Sequence, residues 1–304
     1  MQRLIRMFAV TTFYKFIDLS SDRIEQIKCL LNGVASELDV RGLLLLAPEG
    51  CNATLAVPAG KLQIFKSRLL EVPEFSGLIF KDSASEQAPF RRFKIDVRPE
   101  IVTLKADGCK PASSQNNHLS PDEWQRILEA EEDFVLIDTR NFYETELGMF
   151  HGAVDLKLEK FSDFPEAVEK LGIEKDRKVL MYCTGGIRCE KAILSMQSAG
   201  YSKVYQLEGG ILKYLEQYPK QKFNGECFVF DHRVAVDQEL APSKKFKLCP
   251  HCGNPANTPL DCEECGAGTM ICASCHAESH RNSCSKNCAY HLQRKAAKGL
   301  QSGA

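Results

Sequence analysis

The sequence lacks any apolar run near the length of about 20 residues that a helix needs to cross a bilayer. It also lacks a large net charge of either sign, because 39 Lys and Arg are balanced by 40 Asp and Glu. Nucleic-acid binding driven by overall positive charge is therefore excluded, and such a contact requires a local basic patch. The first ten residues carry charge but no long apolar core or small-residue cleavage site, so we expect a cytoplasmic protein.

Cysteine, by contrast, is abundant, with 14 residues in a chain of 304. In a secreted protein this number would suggest disulfides, whereas in a reducing cytosol it suggests metal binding or thiol chemistry. Eight of the fourteen lie between Cys249 and Cys288. We therefore expect two separate cysteine functions, one in this tail and one in the body of the chain.

The most informative segment of the body begins at Cys183, after an apolar run at 179–182 that predicts a buried strand. Apolar residues at helical spacing from 192 to 199 predict a helix after it. The glycines between let backbone N–H groups turn inward, and Arg188 adds a fixed positive fork. Such surroundings lower the pKa of a cysteine from about 8.5 toward roughly 3.5–7.5. Cys183 is the predicted nucleophile, and the loop that holds it comprises Thr184, Gly185, Gly186 and Ile187.

Two other interpretations of this loop compete with that one. Cys183 could be a small buried residue at a strand end. Alternatively, the loop could belong to a cysteine phosphatase, in which five residues separate the cysteine from the arginine. Here four residues separate Cys183 from Arg188, so the ring is smaller and suits a terminal sulfur or a small oxyanion better than a phosphate ester.

The loop at 183–192 resembles the active loop of one rhodanese-containing family, the oxygen-dependent tRNA uridine 5-hydroxylases. The resemblance extends to Asp138, Arg140 and Glu144, to the turn at 209–214 and to the segment 223–236, and it covers roughly residues 5 to 240. It implies an oxidoreductase that hydroxylates C5 of the wobble uridine, position 34 of tRNA, with molecular oxygen as co-substrate. tRNA is then the partner and Cys183 the essential residue, with a persulfide as one candidate state; no electron donor is implied.

The other side chains of this domain receive supporting roles. Asp138, Arg140 and Glu144 are predicted to form a polar network that braces the loop. His151 is interpreted as a packing or capping histidine, because no catalytic partner is evident beside it. Cys189 could act as a resolving thiol, but we favour a packing or capping cysteine. On this interpretation its side chain projects from the helix and does not face the N–H groups around Cys183.

The first hundred residues show the order βαββαβ, with strands at 7–17, 42–47, 53–57 and 77–81 and helices after Ser21 and Pro58. This order predicts a ferredoxin-like sandwich. A turn at 47–54 resembles a segment of the hydroxylase family. Its side chains Glu49, Asn52 and Thr54 either line a polar substrate pocket or form an ordinary hairpin turn.

Basic and aromatic residues alternate over 89–98, which predicts a strand with Arg92, Lys94 and Asp96 on one face. Arg91, Arg92 and Lys94 are candidates for contact with a phosphate backbone. The alternative is a solvated edge strand that its charges protect from aggregation.

Four short cysteine pairs mark the tail and have the ligand spacing of two tetrahedral zinc sites. They are Cys249 and Cys252, Cys262 and Cys265, Cys272 and Cys275, and Cys284 and Cys288. The first pair could share a metal ion with either the second or the third pair, and His276, His280 or His291 could replace a cysteine as ligand. An iron–sulfur cluster and a disordered tail with spare thiols are lesser alternatives.

We therefore predict an α/β multidomain protein without a membrane partner. A ferredoxin-like (acylphosphatase-like) α+β sandwich spans 1–105, and a linker with an entry helix spans 106–128. A rhodanese-type parallel α/β domain spans 129–223, and a strand segment with a cysteine-rich, zinc-binding tail spans 224–304. The first hypothesis for function is tRNA hydroxylation. The alternatives are a thiosulfate or persulfide sulfurtransferase that uses Cys183, and a zinc-stabilised RNA-binding protein with an inactive loop.

Overall fold

The computed structural model of the chain describes residues 7–106, 108–111, 117–130 and 133–301. These form two compact units, a larger one that runs to Asp231 and includes 236–241, and a smaller one made of 232–235 and the chain from Pro242 onward. Residues 107 and 112–116 of the predicted linker lie outside the described residues.

The N-terminal part of the larger unit is a five-stranded sheet with helices packed on it. Its strands follow the order β4-β1-β3-β2-β5, and β1 pairs antiparallel with β3 and β4. Apolar side chains of the helices and of the inner sheet face form one core. The predicted ferredoxin-like sandwich is confirmed. The elements are β1 Phe8–Phe16, α1 Ser21–Leu38, β2 Arg41–Ala47, β3 Gly50–Pro58, α2 Leu62–Leu70, β4 Lys81–Ser85 and β5 Phe93–Val97.

Two predicted strands of this sheet differ in detail. The strand predicted at 77–81 is wrong, because β4 begins only at Lys81 and Leu78 enters the core from a loop. β5 is an edge strand that pairs with β2 alone, and Val97 at its end is 44% exposed although it lies on the face opposite Arg92, Lys94 and Asp96. Periodicity does not show where strand pairing stops, so it misplaces such residues.

A second sheet of five parallel strands, in the order β6-β11-β10-β7-β9, forms the middle of the chain. Apolar clusters lie on both of its faces, as expected for parallel strands wrapped by helices. Ser120 and Glu123 form the capping box that begins α3. The elements are β6 His118–Leu119, α3 Pro121–Glu129, β7 Val135–Asp138, α4 Phe142–Thr145, β8 Gly148–Phe150, β9 Val154–Asp155, α5 Phe164–Lys170, β10 Val179–Tyr182, α6 Ile187–Ser198, β11 Val204–Leu207 and α7 Gly210–Gln217.

Three predictions for the middle of the chain are corrected by the structure. The strand β6 falls within the predicted linker, because a two-residue strand carries no periodicity. The helix after the cysteine loop begins at Ile187, well before the apolar residues at 192–199 that predict it, so Arg188 belongs to its first turn. The continuous strand predicted within 223–236 is broken by Gly225 and Val234, which have positive φ. The pieces are β12 Phe223–Gly225, β13 Cys227–Phe228 and β14 Ala235–Val236.

The cysteine-rich tail folds as two small antiparallel hairpins and two helices. β15 pairs with β16, and β17 pairs with β18. Its small apolar core includes Cys249, Ile271 and Cys275. A core of this size seldom stabilises a fold alone. The elements are β15 Lys247–Leu248, β16 Pro255–Ala256, β17 Thr258–Asp261, β18 Gly268–Ile271, α8 Ala273–His276 and α9 Lys286–Gln301.

Candidate active site and metal centres

Cys183 lies where the central strand β10 ends and the loop to α6 begins, and its side chain is fully buried. The backbone N–H of Gly186 donates to its sulfur at 3.0 Å. Gly186 has a φ of +99°, a conformation that side chains rarely adopt, so glycine is needed for this turn. The N-terminus of α6 lies directly behind the loop, where its dipole favours a negative charge. The structure therefore contains the amide cradle that the loop sequence predicts.

The cradle is held from outside by the N-terminus of α7. The N–H groups of Ile211 and Leu212 donate to the carbonyls of Cys183 and Thr184 at 3.0 and 3.2 Å. A Cβ on Gly210 would lie 2.5 Å from the carbonyl oxygen of Cys183. The glycine-rich turn at 209–214, which the sequence offers only as a resemblance, is thus a direct support of the loop.

Arg188 does not direct its guanidinium at the sulfur. It forms a bidentate ion pair with Glu144, with distances of 2.5 and 2.7 Å, and both side chains are buried. The predicted fixed fork is therefore engaged by a carboxylate, which corrects the expectation that it binds the anion. Its positive charge still lies near Cys183, and Glu144 is the residue that orients it.

The rest of the predicted polar network lies beneath the loop. Asp138 and Arg140 form a second bidentate ion pair that is fully buried, and Arg140 also donates to the carbonyl of Gly148 at 2.5 Å. Glu144 contacts the loop directly, because Thr184 Oγ1 lies 3.4 Å from its carboxylate, whereas Asp138 and Arg140 bond to each other and to β8. The sequence favours a packing or capping role for His151, but the residue is exposed in a turn, so the packing role is wrong.

Cys189 faces Cys183, contrary to the sequence-based expectation. The helix starts early enough to turn its thiol inward, where it hydrogen-bonds to the side chain of Cys183 and lies 3.5 Å from Thr139 Oγ1. Burial alone raises the pKa of Cys183, but this hydrogen bond, the charge of Arg188 and backbone N–H donors outweigh it and lower that pKa to about 5. Burial and the neighbouring thiolate raise the pKa of Cys189 well above its ordinary value. One of the two thiols is therefore ionised and the other is its proton donor.

The eight tail cysteines form two groups of four. Within each group, all four sulfurs lie within 4.8 Å of one another. The first pair joins the third and the second joins the fourth, so the two sites interleave along the chain; no histidine of the described residues belongs to either group. The groups are Cys249, Cys252, Cys272 and Cys275, and Cys262, Cys265, Cys284 and Cys288.

The spacing of these sulfurs fits a tetrahedral metal ion. A Zn–S bond of about 2.3 Å sets the sulfurs of a tetrahedral site about 3.8 Å apart. Sulfur–sulfur distances within the groups include 3.5 Å for Cys252 with Cys272, 3.5 Å for Cys265 with Cys284, and 3.7 Å for Cys284 with Cys288. These distances are far longer than a disulfide bond. Both groups can thus bind a metal ion.

Three family models match successive parts of the chain. They describe a UPF0176 acylphosphatase-like domain over residues 8–101, a rhodanese-like domain over 120–217 and a rhodanese C-terminal segment over 224–289. Proteins named tRNA uridine(34) hydroxylase match most of the chain. The one from Bdellovibrio bacteriovorus is 47% identical over 96% of this chain and 83% of its own, and the one from Rhizobium leguminosarum bv. trifolii is 42% identical over 82% and 80%. The one from Synechococcus elongatus is 42% identical over 83% of this chain and 94% of its own.

The chain belongs to the tRNA uridine(34) hydroxylase family. The resemblance seen in the cysteine loop is thereby confirmed, as is the predicted succession of an acylphosphatase-like fold, a rhodanese fold and a cysteine-rich tail. No helix among the described residues is both long and apolar enough to cross a membrane.

The predicted pocket residues of the N-terminal hairpin bind other parts of the protein. Glu49 accepts from the N–H of Ile101 at 2.7 Å and forms an ion pair with Lys191 of α6 at 2.8 Å. Asn52 donates to the carbonyl of Ile101 at 3.2 Å, and Thr54 lies 3.4 Å from Thr12 Oγ1. Glu49 and Asn52 thus anchor the chain at Ile101 that leads into the rhodanese domain, whereas Thr54 contacts its partner residue in the neighbouring strand β1.

Arg91 and Arg92 border a cleft of about 490 Å³ between α1 and the edge strand β5, whereas Lys94 does not line it. Arg91 and Arg92 are exposed, and neither forms an ion pair with another described residue. Lys94 lies 3.4 Å from Asp96 and is therefore paired. Arg41, also at the cleft, is held by Asp39 at 3.4 Å. Among the described residues, Arg91 and Arg92 therefore form no ion pair, whereas Lys94 and Arg41 are each paired with an aspartate.

Sequence reasoning missed the residues that reach the loop from the N-terminal sheet. Lys81 contacts the Cys183 loop, and Tyr14 contacts the first turn of α6. Lys191 forms ion pairs with Glu49 and Glu100. Lys81 lies 104 positions from its contact in sequence. No local pattern signals a contact of such range.

Proposed function

We propose that this protein hydroxylates C5 of uridine 34 in tRNA to 5-hydroxyuridine, with molecular oxygen as co-substrate and Cys183 as the essential residue. The observation that carries the proposal is the 47% identity, over 96% of the chain, to a protein named tRNA uridine(34) hydroxylase. The fully buried, acidified thiol supports the role of Cys183, because a thiolate is the reactive form of cysteine.

The test measures 5-hydroxyuridine and its derivatives by mass spectrometry of tRNA nucleosides. A deletion strain would carry the wild-type gene, Cys183→Ala or Cys51→Ala. Cys51 is the matched control, since it is equally buried but burial raises its pKa to about 12. We expect Cys51→Ala to restore the nucleoside and Cys183→Ala to fail. Full 5-hydroxyuridine with Cys183→Ala would refute the essential role.

A second candidate is sulfur transfer from thiosulfate or a persulfide donor. The rhodanese-like match over 120–217 and the small amide cradle favour it, because a terminal sulfur on Cys183 would meet the same N–H donors. Rapid thiocyanate release by the wild type, lost in Cys183→Ser, would support this activity. An inactive loop on an RNA-binding protein is disfavoured by the acidified thiol.

We propose that Arg91 and Arg92 contact the tRNA backbone. Both are exposed and unpaired among the described residues, and they lie beside a cleft, whereas Lys94 is paired with Asp96 and contributes less. Each phosphate contact adds about one unit to the slope of log K against log salt. We therefore expect the double change to Ala at both positions to reduce that slope by about two.

The matched control for this surface is the double change Lys61→Ala and Arg68→Ala. It removes the same charge from the same domain, but the nitrogens of Lys61 and Arg68 contact Glu37. We expect it to leave both the affinity for tRNA and the salt slope near their wild-type values. Equal losses in the two double variants would refute a specific contact at Arg91 and Arg92.

We propose that the tail holds two zinc ions, one in each group of four cysteines. The tetrahedral spacing of the sulfurs supports this, and bound zinc would stabilise a fold with so small a core. Elemental analysis should give two zinc ions per chain. Iron with visible absorbance would instead indicate an iron–sulfur cluster.

A pair of double variants tests the interleaved pairing. Cys249→Ser with Cys275→Ser removes two ligands of one site, so one zinc ion should remain. Cys249→Ser with Cys262→Ser removes one ligand of each site, so both ions should be weakened or lost. The opposite pattern would refute the pairing.

A further inference from the structure

Lys81, the first residue of β4, extends from the N-terminal sheet to the cysteine loop. Its ammonium donates to the carbonyl oxygen of Gly185 at 2.5 Å. The same nitrogen lies 4.9 Å from the centre of the Tyr14 ring, within the range of a cation–π contact. Lys81 therefore has defined partners on both sides and is not a freely moving surface lysine.

The peptide group between Gly185 and Gly186 links Lys81 to Cys183. Its carbonyl accepts from Lys81, and its N–H, which belongs to Gly186, donates to the sulfur of Cys183 at 3.0 Å. In a trans peptide these two bonds point in opposite directions. The peptide dipole thus has the cation at its negative end and the thiolate at its positive end, and hydrogen bonds in such a chain strengthen one another.

Tyr14 closes the same side of the loop. Its hydroxyl donates to Glu190 in the first turn of α6 at 3.0 Å. A Cβ added to Gly186 would lie 2.9 Å from that hydroxyl oxygen. Glycine at 186 is therefore required both by its positive φ and by the approach of the N-terminal domain.

Two cations lie near the Cys183 thiolate, Arg188 and Lys81, and the charge of Arg188 is neutralised. Arg188 shares its charge with Glu144 in a bidentate pair. Burial lowers the pKa of Lys81 to about 8, and the charge of Cys183 acts in the opposite direction, toward a higher pKa. Since this electrostatic coupling is reciprocal, the ammonium must also favour the ionised form of Cys183.

We propose that Lys81 is a positioning residue of the active site, which holds the Gly185–Gly186 peptide with its N–H toward Cys183 and stabilises the thiolate through it. The N-terminal domain then completes the reactive site in addition to any contact with tRNA. The proposal rests on the proposed function only in taking the Cys183 thiolate as the reactive group. Without the ammonium, the peptide can rotate, which would remove a donor from the sulfur.

Several other groups face Lys81 or Cys183 and influence their ionisation. They lie on β1, α4, α6, α7 and β13 and remain unchanged in the variants below. They are Tyr14, Glu144, Arg188, Cys189, Glu190, Lys213, Glu216 and Cys227.

The test measures alkylation of Cys183 by iodoacetamide as a function of pH. Trypsin releases the peptide 179–188, in which Cys183 is the only cysteine, so mass spectrometry isolates it from the other 13. After unfolding, the remaining thiols are capped with heavy iodoacetamide. We compare the wild type with Lys81→Met and Lys81→Arg. Lys15→Met is the matched control, because Lys15 lies in the same sheet and also donates to a backbone carbonyl, that of Ser76.

We expect a midpoint near pH 5 for the wild type and the Lys15 control. Lys81→Met should raise the midpoint by about one pH unit, the effect of losing one nearby opposite charge, and Lys81→Arg should restore it. An unchanged midpoint in folded Lys81→Met would overturn the proposal.

A reciprocal measurement covers the case in which Lys81→Met does not fold. The pH dependence of Lys81 acetylation by acetic anhydride is compared between the wild type and Cys183→Ala. Removal of the thiolate should move the midpoint of Lys81 below about 8. An unchanged midpoint would overturn the coupling. Failure of the proposed function would be seen separately, as 5-hydroxyuridine that persists with Cys183→Ala.

Discussion

The substitution Glu144→Gln tests the ion pair that orients Arg188. Gln keeps the shape of the side chain but removes the charge, and Arg188 then remains buried without a counter-ion. The two hydrogen bonds are 2.5 and 2.7 Å long, and the side chains are 0% and 8% exposed, so solvent screens the pair little. Breaking a buried pair of this kind costs about 3–5 kcal/mol, in line with about 4 kcal/mol for unit charges 4 Å apart at an effective dielectric constant of 20.

For a unit of this size, each kcal/mol shifts the melting temperature by about 2–4 °C, so we expect a decrease of roughly 10 °C. The same substitution at Glu146, an exposed residue beside α4, is the control and should change stability by less than about 0.5 kcal/mol. Differential scanning calorimetry measures both.

The pH midpoint of Cys183 alkylation is a second readout of Glu144→Gln, and it should show a more readily ionised thiol in a less stable protein. With Glu144 neutral, the full charge of Arg188 acts on Cys183, so the alkylation midpoint should fall below about 5 although the protein is less stable. A melting temperature no lower than that of Glu146→Gln would refute the reasoning, because it would mean that the pair does not carry a buried charge.

Further predictions concern the loop and its two flanks. Gly186→Ala should destabilise the protein by about 1–3 kcal/mol and slow Cys183 alkylation, whereas Gly172→Ala, at positive φ but in open space, should affect stability alone. Cys189→Ala removes a donor and should raise the alkylation midpoint of Cys183, while 5-hydroxyuridine formation at pH 7 persists; loss of that product would identify a resolving thiol instead. Lys191→Met leaves two facing carboxylates and should lower the melting temperature by several degrees; no change would contradict a buried ion-pair role.

Local patterns in the sequence determined the elements and the reactive cysteine. Helical periodicity located α1 and α3, a continuous apolar run located the strand β10, and the glycines after Cys183 indicated the amide cradle. The short cysteine spacings indicated the metal sites for the same reason, since both ligands of a pair lie on one tight turn. These features depend on residues that are close in the chain.

Tertiary structure alone decided which distant groups meet. It determined which tail cysteines form each group of four and turned Cys189 toward Cys183. It paired Arg188 with Glu144 and brought Lys81 to the loop. It also neutralised Lys94 with Asp96 and left the neighbouring arginines exposed at the cleft. Local periodicity carries no information on such contacts, because they depend on how sheets and helices pack and on where each strand or helix begins.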